Sequence, residues 1–171
     1  MLYYSLVYPH LIYGIEVWSS SITSHISKII TMQKKLVRMI TRKDLRMANY
    51  AYPPSSPIFR ELGILQFKDI HCLFLNKFVY KWSLGQVPPN FHNWFSYISE
   101  IHSYNTRNTY FEGIDTKRLY VPYARTVHYG CKKIKVLAPS LWNNIPHEIR
   151  LKQTLSLFTV HLKKHLLNSY S

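Results

Sequence analysis

The stretch ITSHISKIITMQKKLVRMITRKDLRM, residues 22–47, decides the fold class, because its apolar side chains recur with the period of an α-helix. The apolar stripe consists of Ile22, Ile26, Ile29, Ile30, Leu36, Val37 and Ile40. At about 100° per residue, five basic side chains fall within an arc of roughly 80° on the opposite side. These side chains are Lys28, Lys35, Arg38, Arg42 and Arg46. The pattern predicts a long amphipathic helix over 22–47 with one cationic face.

Apolar periodicity on both sides of this helix indicates further helices, so we predict a mainly α fold. These helices cover residues 1–18, 58–65, 67–84, 91–101 and 155–170. We expect the first of them to be buried and to bend near Pro9, because proline removes a backbone donor inside a helix. The segment APSLWNNIP, residues 138–146, predicts a turn around a buried Trp142.

A second basic cluster lies between residues 117 and 135, where six basic residues occur without any acid. It consists of Lys117, Arg118, Arg125, Lys132, Lys133 and Lys135. The β-branched and aromatic residues among them predict either a basic loop or a short β-hairpin. The segment YPPSSP, residues 52–57, predicts a loop. We therefore divide the chain into a helical region at 1–50, a linker at 51–57 and a mixed C-terminal region at 58–171.

Composition restricts the classes of function that the chain can serve. The 171 residues carry 22 Lys and Arg against 8 Asp and Glu, which gives a formal net charge of +14. The 47% hydrophobic and 18% charged residues exclude an acidic or disordered chain, and the positive balance favours polyanionic partners. Because acids are few and no phosphate-binding Gly-rich loop or GxSxG motif is present, we predict no catalytic residue. Two cysteines and the pair His161 and His165 do not make a zinc site, so we predict no metal and no cofactor.

Cations interleaved with aromatic side chains are typical of surfaces that bind nucleic acid. Lys and Arg neutralise phosphates, and tyrosines can stack on bases. We take both basic clusters as the candidate site and expect contacts mainly with the phosphates of RNA, DNA or their hybrid. The stacking candidates near the second cluster are Tyr110, Tyr120, Tyr123 and Tyr129.

Two alternatives to nucleic-acid binding stay open. One is a solvated basic surface that only aids solubility, and the other is a structural or peripheral-membrane protein that uses its basic face on anionic lipid. The apolar N-terminal residues predict neither a signal peptide nor a membrane span, because they lack a basic leader and are interrupted by Pro9, His10 and Glu16. We therefore expect an intracellular protein, in the nucleus or the cytoplasm.

Six sequence blocks follow one another along nearly the whole chain. The first two are YYSLVYPHLIYGIEVW at 3–18 and KIITMQKKLVRMIT at 28–41. The others are SPIFRELGILQFKDIHCLFLNKFVYK at 56–81, HSYNTR at 102–107, APSLWNNIPHEIR at 138–150 and LSLFTVHLKKHLL at 155–167. In this order they resemble the part of non-LTR retrotransposon reverse transcriptases that follows the palm, in the Jockey-like LINE group.

The resemblance implies that residues 1–50 are thumb-like, that 58–171 form the C-terminal extension, and that the thumb helix lies along the template–primer duplex. In that family two adjacent palm aspartates hold Mg²⁺ for nucleotidyl transfer, and this chain has no such pair. We therefore expect a non-catalytic C-terminal fragment of an RNA-directed DNA polymerase from a transposable element. The polymerase domain that would precede Met1 is a further expected partner, and an active enzyme with its palm upstream is the alternative.

Overall fold

A computed structural model of the chain describes residues 2–19, 23–41, 54–101, 117–126 and 130–170. The chain divides into two compact units, of which the first comprises Met1–Leu73 with His161–Ser171 and the second comprises Phe74–Val160. Within the described ranges the elements are helical, apart from an isolated antiparallel bridge between Tyr97 and Leu119. The mainly α prediction is therefore confirmed.

The helices have clear bounds along the chain. In order they are α1 (Tyr8–Ile12), α2 (Ile15–Trp18), α3 (Thr23–Ile40), α4 (Ser56–Glu61), α5 (Phe67–Ser83), α6 (Ile98–Ile101), α7 (Ile134–Asn143), α8 (His147–Arg150) and α9 (Leu155–Asn168). A π-helical turn, Tyr3–Val7, precedes α1, and a 3₁₀ turn, Pro89–Trp94, follows α5. Both α5 and α9 match their predicted spans to within two residues. The first unit runs across the predicted linker at 51–57.

The N-terminal helical segment adapts to Pro9 by widening the turn before it. The Tyr8 N–H donates to the carbonyl of Tyr3, five residues back. Pro9 has no N–H to offer the Ser5 carbonyl and its ring crowds that oxygen, so a π-helical turn replaces the α-helical one. The expectation of a buried first helix is wrong, since Leu6 is 63% exposed and Tyr3 is the buried residue of the π turn.

Gln33 joins three segments of the first unit inside its core. Its Nε2 donates to the Tyr3 hydroxyl at 2.8 Å and to the Leu65 carbonyl at 2.9 Å, and its Oε1 accepts from the Phe67 N–H at 2.8 Å. The ring of Phe67 stacks on Trp18 with centroids 5.3 Å apart. Burial raises the pKa of Tyr3 to about 12, so its hydroxyl stays protonated. The buried amide of Gln33 is thereby satisfied on both its nitrogen and its oxygen.

Tyr170 connects the C-terminal end of the first unit to the beginning of α5 through hydrogen bonds. Its hydroxyl donates to the Asp69 carboxylate and accepts from the Gln66 N–H at 2.8 Å. Its carbonyl accepts from the guanidinium of Arg60 at 3.4 Å. Burial, and then the hydrogen bond to Asp69, raises the pKa of Tyr170, so the phenol remains a donor.

Asn143 of α7 holds a loop segment of the second unit by both ends of its amide. Its Oδ1 accepts from the Leu119 N–H at 2.9 Å and its Nδ2 donates to the Leu119 carbonyl at 2.8 Å. The neighbouring Trp142 donates its indole N–H to the carbonyl of Lys117 at 2.8 Å. Trp142 is 1% exposed and packs near Phe158, with ring centroids 5.7 Å apart. The segment at 117–119 is therefore attached to α7 by three hydrogen bonds.

The structure corrects one sequence prediction for the second unit and decides between the two alternatives of another. The expected turn over 138–146 is wrong for its first part, because α7 continues through Pro139 to Asn143. Burial of Ala138 and Trp142 outweighs the loss of the backbone donor at Pro139, whereas the predicted burial of Trp142 is correct. No strand forms over 117–126 or 130–133, and α7 begins at Ile134, so the loop, and not the hairpin, describes these parts of the basic stretch.

His71 of α5 gives the first unit a pH-dependent stability. Burial lowers the pKa of His71 to about 4, and its Nε2 has no hydrogen-bond partner among the described residues. The folded protein therefore favours neutral His71, and the stability present above pH 6.5 is lost as the pH falls from 6.5 toward 4.

We expect His71→Leu to reduce the loss of folding stability that occurs as the pH falls from 6.5 toward 4. Urea denaturation midpoints of both proteins, measured between pH 7 and about pH 4, test the prediction. Asp69, whose pKa burial raises, titrates in both proteins, so the difference between their profiles isolates His71. Identical pH dependence in the two proteins would contradict the assignment.

Candidate nucleic-acid interface

The cationic face of α3 points away from the core of the first unit. Lys28 and Lys35 are exposed, whereas Gln33 and Val37 are buried. At about 100° per residue, Val37 lies on the opposite side of the helix from Lys28, which agrees with the predicted arrangement. Arg38 is half-buried and its Nε is shielded from solvent. The predicted contributors Arg42 and Arg46 lie outside the described residues.

Two methionines share this side of α3 with the lysines. Met32 follows Lys28 by one helical turn and is 62% exposed, and Met39 follows Lys35 in the same way and is 55% exposed. Residues four positions apart lie on one helix face, so each lysine has an exposed methionine next to it. The face is therefore cationic and partly apolar.

The second basic cluster belongs to the second unit and does not form one compact patch of exposed side chains. Its half-buried members are Lys117, Arg118 and Lys132, and its exposed members are Arg125, Lys133 and Lys135. Lys133 is the residue that precedes α7, and the Lys135 ammonium lies 5.2 Å from the ring centroid of Trp94, within reach of a cation–π interaction. The cluster follows the loop at 117–126 and then the start of α7.

One member of this cluster, Arg118, lines a polar pocket of about 430 Å³ in the second unit. The other lining residues are Asn143, Asn144, Ile145, Pro146, His147 and Arg150. Arg150 is 3% exposed, and its Nε donates to the Ile145 carbonyl at 3.1 Å. None of the seven lining residues is acidic. The lining residues of the pocket are therefore basic, amide-bearing or apolar.

Sequence reasoning missed His147 and Arg150. They are three positions apart, so within the short helix α8 they lie on the same face. That spacing, next to the amide pair Asn143 and Asn144, is the sequence feature that could have indicated this pocket. This sequence feature is weak evidence for a pocket, because the lining also includes Pro146 and Arg118, and Arg118 lies 32 positions before Arg150.

The predicted stacking residues are only partly described. Tyr123 is 86% exposed and Tyr120 is 39% exposed, and both belong to the loop at 117–126. Tyr110 and Tyr129 lie outside the described residues. An exposed ring close to cations is the arrangement on which a nucleic-acid base can stack.

Two further features of the described residues concern metal sites and membrane spans. No group of three His, Cys, Asp or Glu side chains that could hold a metal ion occurs in this part of the chain. Among the same residues, no helix combines the length and the apolar composition that crossing a bilayer needs.

Comparison of the chain with protein-family models, with curated proteins and with solved structures found no match.

Proposed function

We propose that the protein binds nucleic acid without sequence preference, through contacts with phosphates. The observation that carries the proposal is the exposure of Lys28 and Lys35 on the side of α3 opposite its buried residues, in a chain of net charge +14. Lysines that are not needed for packing can neutralise phosphates and release counterions, which makes binding favourable for any base sequence. Exposed Tyr123 offers a stacking surface in the second unit.

The resemblance to non-LTR retrotransposon reverse transcriptases extends this proposal. It suggests that the chain is a non-catalytic part of an RNA-directed DNA polymerase and that α3 lies along a template–primer duplex. An active enzyme with a palm encoded upstream is the alternative. The genomic reading frame before Met1 separates the two: an intact palm with paired aspartates supports activity, whereas stop codons support a remnant.

We expect the double variant Lys28→Gln/Lys35→Gln to bind an RNA–DNA hybrid with a weaker dependence on salt. Five phosphate contacts from the predicted face give a slope of log affinity against log salt of about −4 to −5. Because each lost contact removes about 0.9 from that slope, the double variant should be less steep by about 2. Filter binding over a series of salt concentrations measures both slopes.

The matched control is Lys68→Gln/Lys164→Gln, which removes the same charge from exposed positions of the first unit. It should lower the overall affinity through net charge but leave the slope closer to that of the unchanged protein. Equal slopes in the two double variants would show that the face of α3 makes no phosphate contacts. Undetectable binding by the unchanged protein at low salt would refute the proposal itself.

A second candidate function, binding to an anionic membrane surface, is favoured by the exposed methionines of α3. Met32 and Met39 next to Lys28 and Lys35 form the mixed cationic and apolar surface that interfacial helices use. Flotation with anionic vesicles, in the presence and absence of competing RNA, separates the two functions. Vesicle binding that resists RNA and falls in Met32→Ser/Met39→Ser would favour the membrane.

A further inference from the structure

We infer that an apolar cleft in the first unit binds an amphipathic helix of a partner protein, and that the polar side of this helix is acidic. The cleft has a volume of about 380 Å³, and its walls come from the N-terminal segment and from α3. The apolar side chains of these two walls are Leu6, Val7 and Leu11 on one side and Ile29, Met32 and Leu36 on the other.

The interior of the cleft offers little to a polar ligand. The amide of Gln33, which also lines the cleft, is already bonded to Tyr3, Leu65 and Phe67. The indole N–H of Trp18, a further lining residue, donates to the Tyr13 carbonyl at 2.6 Å. An occupant therefore gains free energy mainly by removing apolar surface from water.

The cleft is open to a side chain that approaches from solvent. Leu6 is 63% exposed and Met32 is 62% exposed, and each contributes to one of the two walls. Because removal of one leucine side chain from a core leaves a cavity of about 150 Å³, a cleft of about 380 Å³ holds about two such side chains. Apolar side chains one turn apart are what an amphipathic helix presents to a groove.

The edge of the cleft that α3 forms is cationic. Lys28 precedes Met32 by four positions and Lys35 follows it by three, so both lysines are its neighbours on the helix surface. Both lysines are exposed. In the ranges 2–19 and 23–41 the acid is Glu16, which does not line the cleft. This edge complements a partner whose apolar residues are flanked by Asp or Glu.

Charge and shape favour this helix over other occupants. A second copy of the chain would bring another net charge of +14, and the two copies would repel each other. A bilayer surface receives protruding apolar side chains, whereas the lining residues enclose a concavity. A neutral apolar molecule would fill the cleft without using the lysines. An acidic amphipathic helix uses both the apolar walls and the cationic edge.

The inference goes beyond the proposed function and does not depend on it. A partner helix and nucleic acid would use the same two lysines of α3, but the helix would also need the apolar walls. An assay that contains no nucleic acid therefore tests the cleft alone, and its failure would leave nucleic-acid binding unaffected.

Fluorescence anisotropy with three labelled peptides of about 18 residues, or five helical turns, tests the inference on the full chain. The first peptide has leucines at intervals of three and four positions and glutamates with alanines between them. The second has the same composition in scrambled order, and the third has lysine in place of each glutamate. We expect the first peptide to bind about tenfold more tightly than either of the others.

A pair of matched double variants locates the binding site. Leu6→Gln/Met32→Gln removes an apolar side chain from each wall at exposed positions, and it should reduce the preference for the first peptide over its scrambled form to less than about threefold. The control Leu84→Gln/Val160→Gln makes the same change at two exposed positions of the second unit and should keep the preference. Far-UV circular dichroism verifies that each variant is folded.

The remaining outcomes would overturn the inference. Equal affinity for the first peptide and its scrambled form would show that charge alone attracts them, and a preference that persists in Leu6→Gln/Met32→Gln would place the helix elsewhere. Equal affinity for the glutamate and lysine peptides would refute an acidic partner. If the peptides are not distinguished, self-association in sedimentation that this variant abolishes would assign the cleft to a second copy. Flotation with anionic vesicles that this variant abolishes would assign it to a membrane.

Discussion

Replacing Gln33 by methionine should destabilise the protein by about 3–5 kcal/mol, because it leaves three buried polar groups without partners at about 1–3 kcal/mol each. These groups are the Tyr3 hydroxyl, the Leu65 carbonyl and the Phe67 N–H. Methionine has nearly the same length and flexibility as glutamine, so the change removes hydrogen bonds while it leaves little empty space. The loss is larger than that of an ordinary hydrogen bond because water cannot replace the missing partners inside the core.

Urea denaturation followed by far-UV circular dichroism measures this loss. The matched control is Gln153→Met, the same substitution at an exposed position of the chain, which should change stability by less than about 0.5 kcal/mol. If both variants unfold at the same urea concentration, the three hydrogen bonds of Gln33 do not hold the first unit together.

Trp142→Ala should destabilise the second unit by about 3–5 kcal/mol, the usual cost of removing a large buried aromatic side chain. The substitution leaves a cavity beside Phe158 and removes the donor that holds the Lys117 carbonyl. The loss of this donor releases the segment at 117–119 from one of its three hydrogen bonds to α7.

Trp142→Phe separates the two contributions. Phenylalanine retains most of the packing but cannot donate to Lys117, so we expect a smaller loss of about 1–3 kcal/mol. Tyr123→Ala, at an aromatic residue that is 86% exposed, serves as the control and should change stability by less than about 0.5 kcal/mol. Equal losses in the alanine and phenylalanine variants would show that packing against Phe158 contributes little.

The sequence predicted the long helices because their apolar stripes are regular and their ends are marked. Helix α5 begins at Phe67 and ends beside Gly85, whose φ of 68° lies in the left-handed region that terminates helices. In α9, Phe158 and Leu162 are buried one turn apart, as their spacing predicts. Such features are local, so they can be recognised without knowledge of the rest of the fold.

Other features depended on contacts that no local pattern contains. Pro139 within α7 resembles a turn residue, and only the burial of Ala138 and Trp142 explains why the helix continues past it. The apolar N-terminus suggested burial, yet Leu6 is largely exposed, because apolar composition does not specify which face meets a neighbour.

One part of the candidate site could be predicted from local sequence pattern, and another part could not. The exposure of Lys28 and Lys35 followed from helical periodicity, because the buried residues of α3 occupy the other side. The pocket could not be predicted, since it brings Arg118 together with His147 and Arg150 from distant parts of the sequence. The hydrogen bonds of the buried Gln33 amide could not be predicted either, because a single glutamine in an apolar stripe does not indicate which residues it contacts.

The stacking of Trp18 on Phe67 has a practical consequence for spectroscopy. The chain contains four tryptophans, and Trp18 is the one that belongs to the first unit, whereas Trp82, Trp94 and Trp142 belong to the second. In a protein in which those three tryptophans are replaced by phenylalanine, all tryptophan fluorescence would come from Trp18. This indole stacks on Phe67, whose N–H is hydrogen-bonded to Gln33. The wavelength of its emission would then register the opening of that core directly, without any attached dye.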